Sequence, residues 1–173
     1  MAGPKLLIAR EEIRRKVREL AEALSRDYEG KRPLMIGVLT GAFVFLADLV
    51  REMRIPLEVA FVKVESYGDG TVSSGEPRMV LDFPYSVEGR EVVIVEDIVD
   101  TGHTARFLVE HFKERGAASV KVCTLLNKPA RREVEVRLDY VGFDIPNVFV
   151  VGYGLDAAGR WRELPDVRYI EEE

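Results

Sequence analysis

The sequence predicts an α/β fold, a mostly parallel twisted sheet flanked by helices on both faces. Three observations predict it. Strand-like apolar runs alternate with amphipathic helical stretches along the 173 residues, the wiring that parallel sheets require. The run Val92 to Val95 is wholly β-branched and uninterrupted by polar residues, as befits a buried strand. Turn segments at 39–42, 96–104 and 126–130 follow the carboxyl ends of such runs, where open α/β sheets bind their ligands.

Each element can be justified in order. Residues 11–28 set Ile13, Val17, Leu20, Ala21 and Leu24 on one helical face with charges elsewhere. Pro33 precedes a strand at Leu34 to Leu39. Phe43, Leu46, Ala47 and Val50 then recur at i, i+3, i+4 and i+7, the apolar stripe of a second helix. Leu57 to Val64 reads as another strand. Residues 67–78 have the Gly, Ser, Asp and Pro content of a mobile loop. After the run at Val92, residues 104–115 form a helix ended by Gly116. Val120 to Leu126 is the next strand, with two more around Tyr140–Phe143 and Val148–Gly152. No repeat or linker divides the chain, so residues 1–173 are expected to form a single domain.

Composition excludes several classes. The hydrophobic fraction of 47% and charged fraction of 32% are those of a soluble globular protein. A net charge of −5 without a dense Lys/Arg stripe argues against a nucleic-acid binder. Cys123 is the only cysteine. No internal disulfide or thiolate metal cluster can form, which fits a reducing, cytoplasmic setting. Leu6 to Ala9 is too short for a signal-peptide core, and Thr40, Gly41 and Asp48 interrupt the apolar stretch from Leu34 to Val50. No membrane segment is expected.

The chemistry concentrates at residues 92–104. The apolar strand runs into Glu96 and Asp97, then into a Thr-Gly-x-Thr turn opening a helix. Carboxylates there can accept hydrogen bonds from ribose hydroxyls or hold Mg²⁺. Loop amides and threonine hydroxyls can cradle a phosphate on the positive end of the helix dipole. A phosphorylated sugar satisfies all of these groups at once.

The segment Glu96-Asp97-Ile98-Val99-Asp100-Thr101-Gly102-His103-Thr104 resembles the phosphoribosyl-pyrophosphate (PRPP) signature of type I phosphoribosyltransferases. Asp100, directly before Thr-Gly, resembles the hypoxanthine-guanine, or 6-oxopurine, branch. Leu39-Thr40-Gly41-Ala42 resembles the pyrophosphate loop of that family, and Ser66-Tyr67 its lid. Leu125-Leu126-Asn127-Lys128 resembles the strand that carries a purine-reading lysine. The stretches 141–146 and 149–156 resemble its base-binding hood. Five motifs in the right order cover most of residues 35–165.

The resemblance implies roles. Glu96 and Asp97 would hold the ribose hydroxyls of PRPP and, with Asp156, the cofactor Mg²⁺. Asp100 would be the catalytic acid/base at purine N7 and, with Thr101, Gly102, His103 and Thr104, would bind the 5′-phosphate. Leu39, Thr40, Gly41 and Arg162 would bind pyrophosphate. Lys128 would donate to O6, Phe149 would stack on the purine, and Val150 and Asp156 would complete the base site. Ser66 and Tyr67 would form the lid. A small hood would come from the N-terminal segment and residues about 128–173, and the assembly would be a homodimer or homotetramer.

Two positions depart from or vary within that pattern. Thr40 stands where relatives commonly carry lysine, and a cis peptide at Leu39–Thr40 is implied. His103 occupies a variable phosphate-loop position, so phosphate affinity is expected to rise as it protonates. His111, on the helix that follows, is expected to be structural. The competing readings are a uracil phosphoribosyltransferase that binds RNA as a pyrimidine regulator, and a non-catalytic nucleotide sensor. The acidic pI and Asp100 oppose the first. The second leaves Glu96, Asp97, Asp100, Lys128 and Arg162 unexplained together. Preference among hypoxanthine, guanine and xanthine stays open, because backbone groups read position 2 of the base.

Overall fold

The computed structural model describes residues 3–66 and 76–171. Tyr67, and with it most of the segment 67–78, lies outside the described residues. The elements in chain order are β1 (Lys5–Ile8), α1 (Arg10–Asp27), β2 (Leu34–Leu39), α2 (Phe43–Glu52), β3 (Glu58–Ser66), β4 (Pro77–Leu81) and β5 (Glu91–Val99). They continue with α3 (His103–Glu114), β6 (Ser119–Asn127), β7 (Tyr140–Asp144), β8 (Phe149–Val151) and β9 (Val167–Ile170).

A six-stranded sheet in the order β4-β3-β2-β5-β6-β7 forms the body. Every pairing in it is parallel except that of the edge strand β4 with β3. Its central strands are buried on both faces, so their residues alternate between two cores. Val92 and Ile94 join Leu108 and Phe112 of α3 on one face. Val93 and Val95 join Ile13, Leu24, Phe45 and Leu49 of α1 and α2 on the other. The mostly parallel sheet with helices on both faces is thus the one the sequence predicts. The five residues read as the buried face of α1 are all buried.

Four readings need correction. The buried residues of α2 are Phe45, Leu46 and Leu49, while Phe43 is 41% exposed and Ala47 faces solvent. That helix is apolar nearly all round, so two overlapping stripes compete and only the sheet beneath selects one. Strand β5 runs on to Val99, which puts Glu96 and Asp97 inside the strand rather than after it. Strands β1, β4 and β9 escape sequence reading because they are four or five residues long and owe their form to a partner. Pro77 and Arg78 therefore belong to a strand, and Pro77 is tolerated because β4 is an edge strand. Finally, β8 leaves the main sheet and pairs with β9 in a separate antiparallel sheet, β1-β9-β8.

Candidate functional site

The parallel strands β2, β5 and β6 end on one side of the sheet, and their following loops wall a cavity of about 460 Å³. Leu39, Thr40 and Gly41 come from the turn after β2. Glu96, Asp97, Asp100, Thr101 and Gly102 come from β5 and its loop, with Thr104 from the first turn of α3. Lys128 follows β6. Phe149, Val150, Asp156 and Arg162 close the cavity from the region of the small sheet.

Close backbone approaches set this geometry. The Leu39–Thr40 peptide is cis, as the resemblance implied. A methyl group built on Gly41 would lie 1.9 Å from Asp97 Oδ2, and one on Gly154 would lie 2.3 Å from the Gly41 carbonyl. The turn after β2, the end of β5 and the loop after β8 therefore meet at two glycines that have no substitute. Gly102, with φ of 94°, is the N-cap of α3 and takes the left-handed conformation that starts the helix.

Electrostatics single out the acids. Glu96 is only 5% exposed, and burial, reinforced by the neighbouring Asp97 carboxylate, holds its carboxyl well above the usual range. Burial also raises the Asp97 carboxyl, partly offset by the Ile98 N–H donating to Oδ1 at 2.8 Å and by the Arg162 charge. Two carboxyls held unfavourably together are relieved by a cation or by hydroxyl donors. Among the described residues no cluster of three or more His, Cys, Asp or Glu could hold a metal. The donor set fits a hard cation bound through one or two carboxylates, with substrate and water oxygens completing its shell. Asp156 differs. Its Oδ1 pairs with Arg162 Nη2 at 3.2 Å, and its Oδ2 accepts the Gly159 N–H at 2.9 Å.

Lys128 is 4% exposed, lines the cavity and has no ion-pair partner among the described residues, so its amine is free to donate to a ligand. Phe149, expected to stack on the purine, is 43% exposed on the cavity wall. Arg162 reaches the cavity while Nη1 donates to the Gly154 carbonyl at 2.6 Å.

Two predicted residues lie elsewhere. The His103 ring contacts Glu133 Oε2 through Nε2 at 2.7 Å and is not on the cavity wall. Its side chain is therefore not aimed at the phosphate site. Ser66, at the end of β3, is exposed and pairs with Pro77 without lining the cavity. His111 sits on α3 with Nε2 3.0 Å from Asp82 Oδ2, a structural position as expected. Sequence reading missed Arg131, which lines the cavity beside Asp100. The doublet Arg131-Arg132 just after Lys128 is the only signal that could have drawn attention to it.

Comparisons place this geometry among known proteins. The family model of the phosphoribosyl transferase domain matches residues 7–158. The hypoxanthine-guanine phosphoribosyltransferase of Bacillus subtilis is 51% identical over 167 residues, covering 96% of this chain and 93% of that protein. The bifunctional protein TilS/HprT of Listeria monocytogenes is 52% identical over 169 residues, and the chain spans about a quarter (26%) of its length. Among solved structures, a hypoxanthine-guanine phosphoribosyltransferase from Bacillus anthracis superposes with a TM-score of 0.92. It shares 41% identity, with 98% of this chain and 100% of that one covered. A hypoxanthine phosphoribosyltransferase from Staphylococcus aureus gives a TM-score of 0.92 at 38% identity, covering 96% and 91%.

Proposed function

The chain belongs to the phosphoribosyl transferase domain family, and within it we propose that it salvages purines by moving 5-phosphoribosyl from PRPP to N9 of hypoxanthine and guanine. The observation that carries this reading is Lys128, 4% exposed and without an ion-pair partner among the described residues, on the same cavity wall as Asp100, Glu96 and Asp97. An amine that can only donate suits the O6 acceptor of a 6-oxopurine. The 6-amino group of adenine would leave it unpaired, which is how such sites discriminate.

The residues divide the chemistry. Glu96 and Asp97 bind the ribose hydroxyls and favour positive charge building on the ring as the C1′–O bond to pyrophosphate breaks. As N9 attacks C1′, the N7 proton passes to the Asp100 carboxylate, a contribution of about 10²–10⁴-fold for a well-placed base. Thr101, Gly102 and Thr104, at the N-terminus of α3, hold the 5′-phosphate, with His103 contributing through its main chain alone. Leu39, Thr40, Gly41 and Arg162 receive the pyrophosphate, and Thr40 gives that loop no side-chain charge. Phe149 stacks on the base beside Val150. Glu96, Asp97 and Asp156 would hold Mg²⁺, which would supply neutralisation of the leaving group.

The sheet β1-β9-β8 serves as the hood of a single domain, because its strands come from both chain ends and carry Phe149 and Val150. No helix among the described residues is long and apolar enough to cross a membrane, and the lone cysteine is buried. A cytoplasmic setting fits both. Self-association is supported by Phe43, Val59, Phe61 and Leu81, apolar side chains on α2, β3 and β4 that stay exposed among the described residues.

An absorbance assay with PRPP, Mg²⁺ and each of hypoxanthine, guanine, xanthine, adenine and uracil tests the reading. Turnover with hypoxanthine and guanine is expected. Turnover with uracil alone, or with no base, would overturn it.

A further inference from the structure

We propose that Arg131 is a positioning residue for Asp100, holding the carboxylate aimed at the base without occupying the oxygen that accepts the proton. The inference rests on the transferase reading above and assigns a role to a residue outside the motifs that carry the family resemblance.

Three observations carry it. Arg131 Nε lies 3.5 Å from Asp100 Oδ1, an ion pair on the cavity wall. That same Oδ1 is buried and accepts no hydrogen bond among the described residues. A buried carboxylate oxygen is normally saturated with donors; here the guanidinium supplies charge and leaves the lone pairs open. The third observation is that Arg131 is fixed relative to the loop it serves. Lys128 N–H donates to Val99 O at 3.0 Å, Arg132 Nε to Asp100 O at 3.1 Å, and the Glu133 N–H to Thr101 O at 2.9 Å. The short 3-10 turn Pro129–Arg131 sits between these bonds. The base-reading lysine, the phosphate loop and the Asp100 countercharge are therefore parts of one stapled unit.

The mechanism gives this a purpose. A carboxylate waiting for the N7 proton must be correctly turned before the base arrives. A donor bonded directly to Oδ1 would have to leave first, whereas a guanidinium at 3.5 Å stabilises the charge by Coulomb attraction and can stay. Arg131 is half-exposed, so its removal leaves no cavity in the core.

The test uses Arg131→Gln and Arg131→Lys in the full chain, with steady-state kinetics on PRPP and hypoxanthine. Arg131→Gln is expected to lower kcat by about 10-fold or more with the KM for PRPP nearly unchanged, and Arg131→Lys to recover most of it. In an Asp100→Asn background the Gln substitution should have little further effect, since its partner has no charge to position. Thermal melting of each variant separates these effects from a folding defect. Wild-type kcat in Arg131→Gln, a change confined to the KM for PRPP, or an equal loss in the Asp100→Asn background would each overturn the proposal. Wild-type protein inactive with every base would instead overturn the transferase reading.

Discussion

Asp97 Oδ2 rests against the α-carbon of Gly41, so near that a β-carbon there would sit 1.9 Å from it. The pyrophosphate loop and the ribose acids are thereby held in register by contact between backbone and carboxylate. Gly41→Ala forces one of them to move. Overpacking of this kind costs about 1–3 kcal/mol, and displacing the acid by about 1 Å should cost about 10²-fold in kcat/KM. Gly3→Ala, where nothing lies within 4 Å, is the control. Kinetics and melting of both variants check the expectation, and wild-type kcat/KM in Gly41→Ala would refute it.

Glu96 should weaken the fold it serves. Its carboxyl is held above the ordinary value of 4.5, first by burial and then by Asp97. The folded chain therefore binds that proton more tightly than the unfolded chain does. Stability from this group is complete below the ordinary value and is lost as pH rises from there through the raised folded value. Glu96→Gln, which cannot ionise, should raise Tm by a few degrees at about pH 7.5. The gain should shrink toward about pH 4.5, while turnover falls. A lower Tm at neutral pH would contradict this account.

Lys128→Met removes an amine on the cavity wall that has no ion-pair partner among the described residues. Stability should hold or rise. The kcat/KM for hypoxanthine should fall by about 10–100-fold, the range for a hydrogen bond to a charged group. The KM for PRPP should stay within about 3-fold. An unaltered preference for hypoxanthine over adenine would remove Lys128 from the base site.

Phe149 separates function from packing. Being 43% exposed, it should cost little stability when replaced by alanine. Loss of stacking, worth about 1–3 kcal/mol per base, should raise the KM for hypoxanthine while leaving that for PRPP alone. A large drop in Tm with unchanged KM would return Phe149 to the core.

Phe45 and Phe43 differ by two positions and should differ in kind. Phe45, fully buried, should cost about 3–5 kcal/mol on replacement by alanine. Phe43→Ala should leave the isolated fold nearly as stable and weaken self-association instead. Denaturation and sedimentation velocity of the two variants would read the difference, and equal destabilisation would contradict the face assigned to α2.

Much of this protein is decided locally, and so was legible in its sequence. The unbroken β-branched run at Val92 to Val95 demands a strand covered on both sides, and the periodicity of Ile13 through Leu24 names one helical face. Glu96, Asp97 and the Thr-Gly-x-Thr turn point to a sugar-phosphate chemistry, because the last residues of a strand and the start of a helix bring those groups together. Other features belong to contacts between distant segments. β1 and β9 are strands only because each finds the other, and α2 could have turned either apolar stripe inward until β2 and α1 packed against it. No spacing reveals that Arg131 would stand beside Asp100, or that His103 would turn to Glu133. Such pairings arise when loops from separate strands converge, and their distances follow from the packing of the whole sheet.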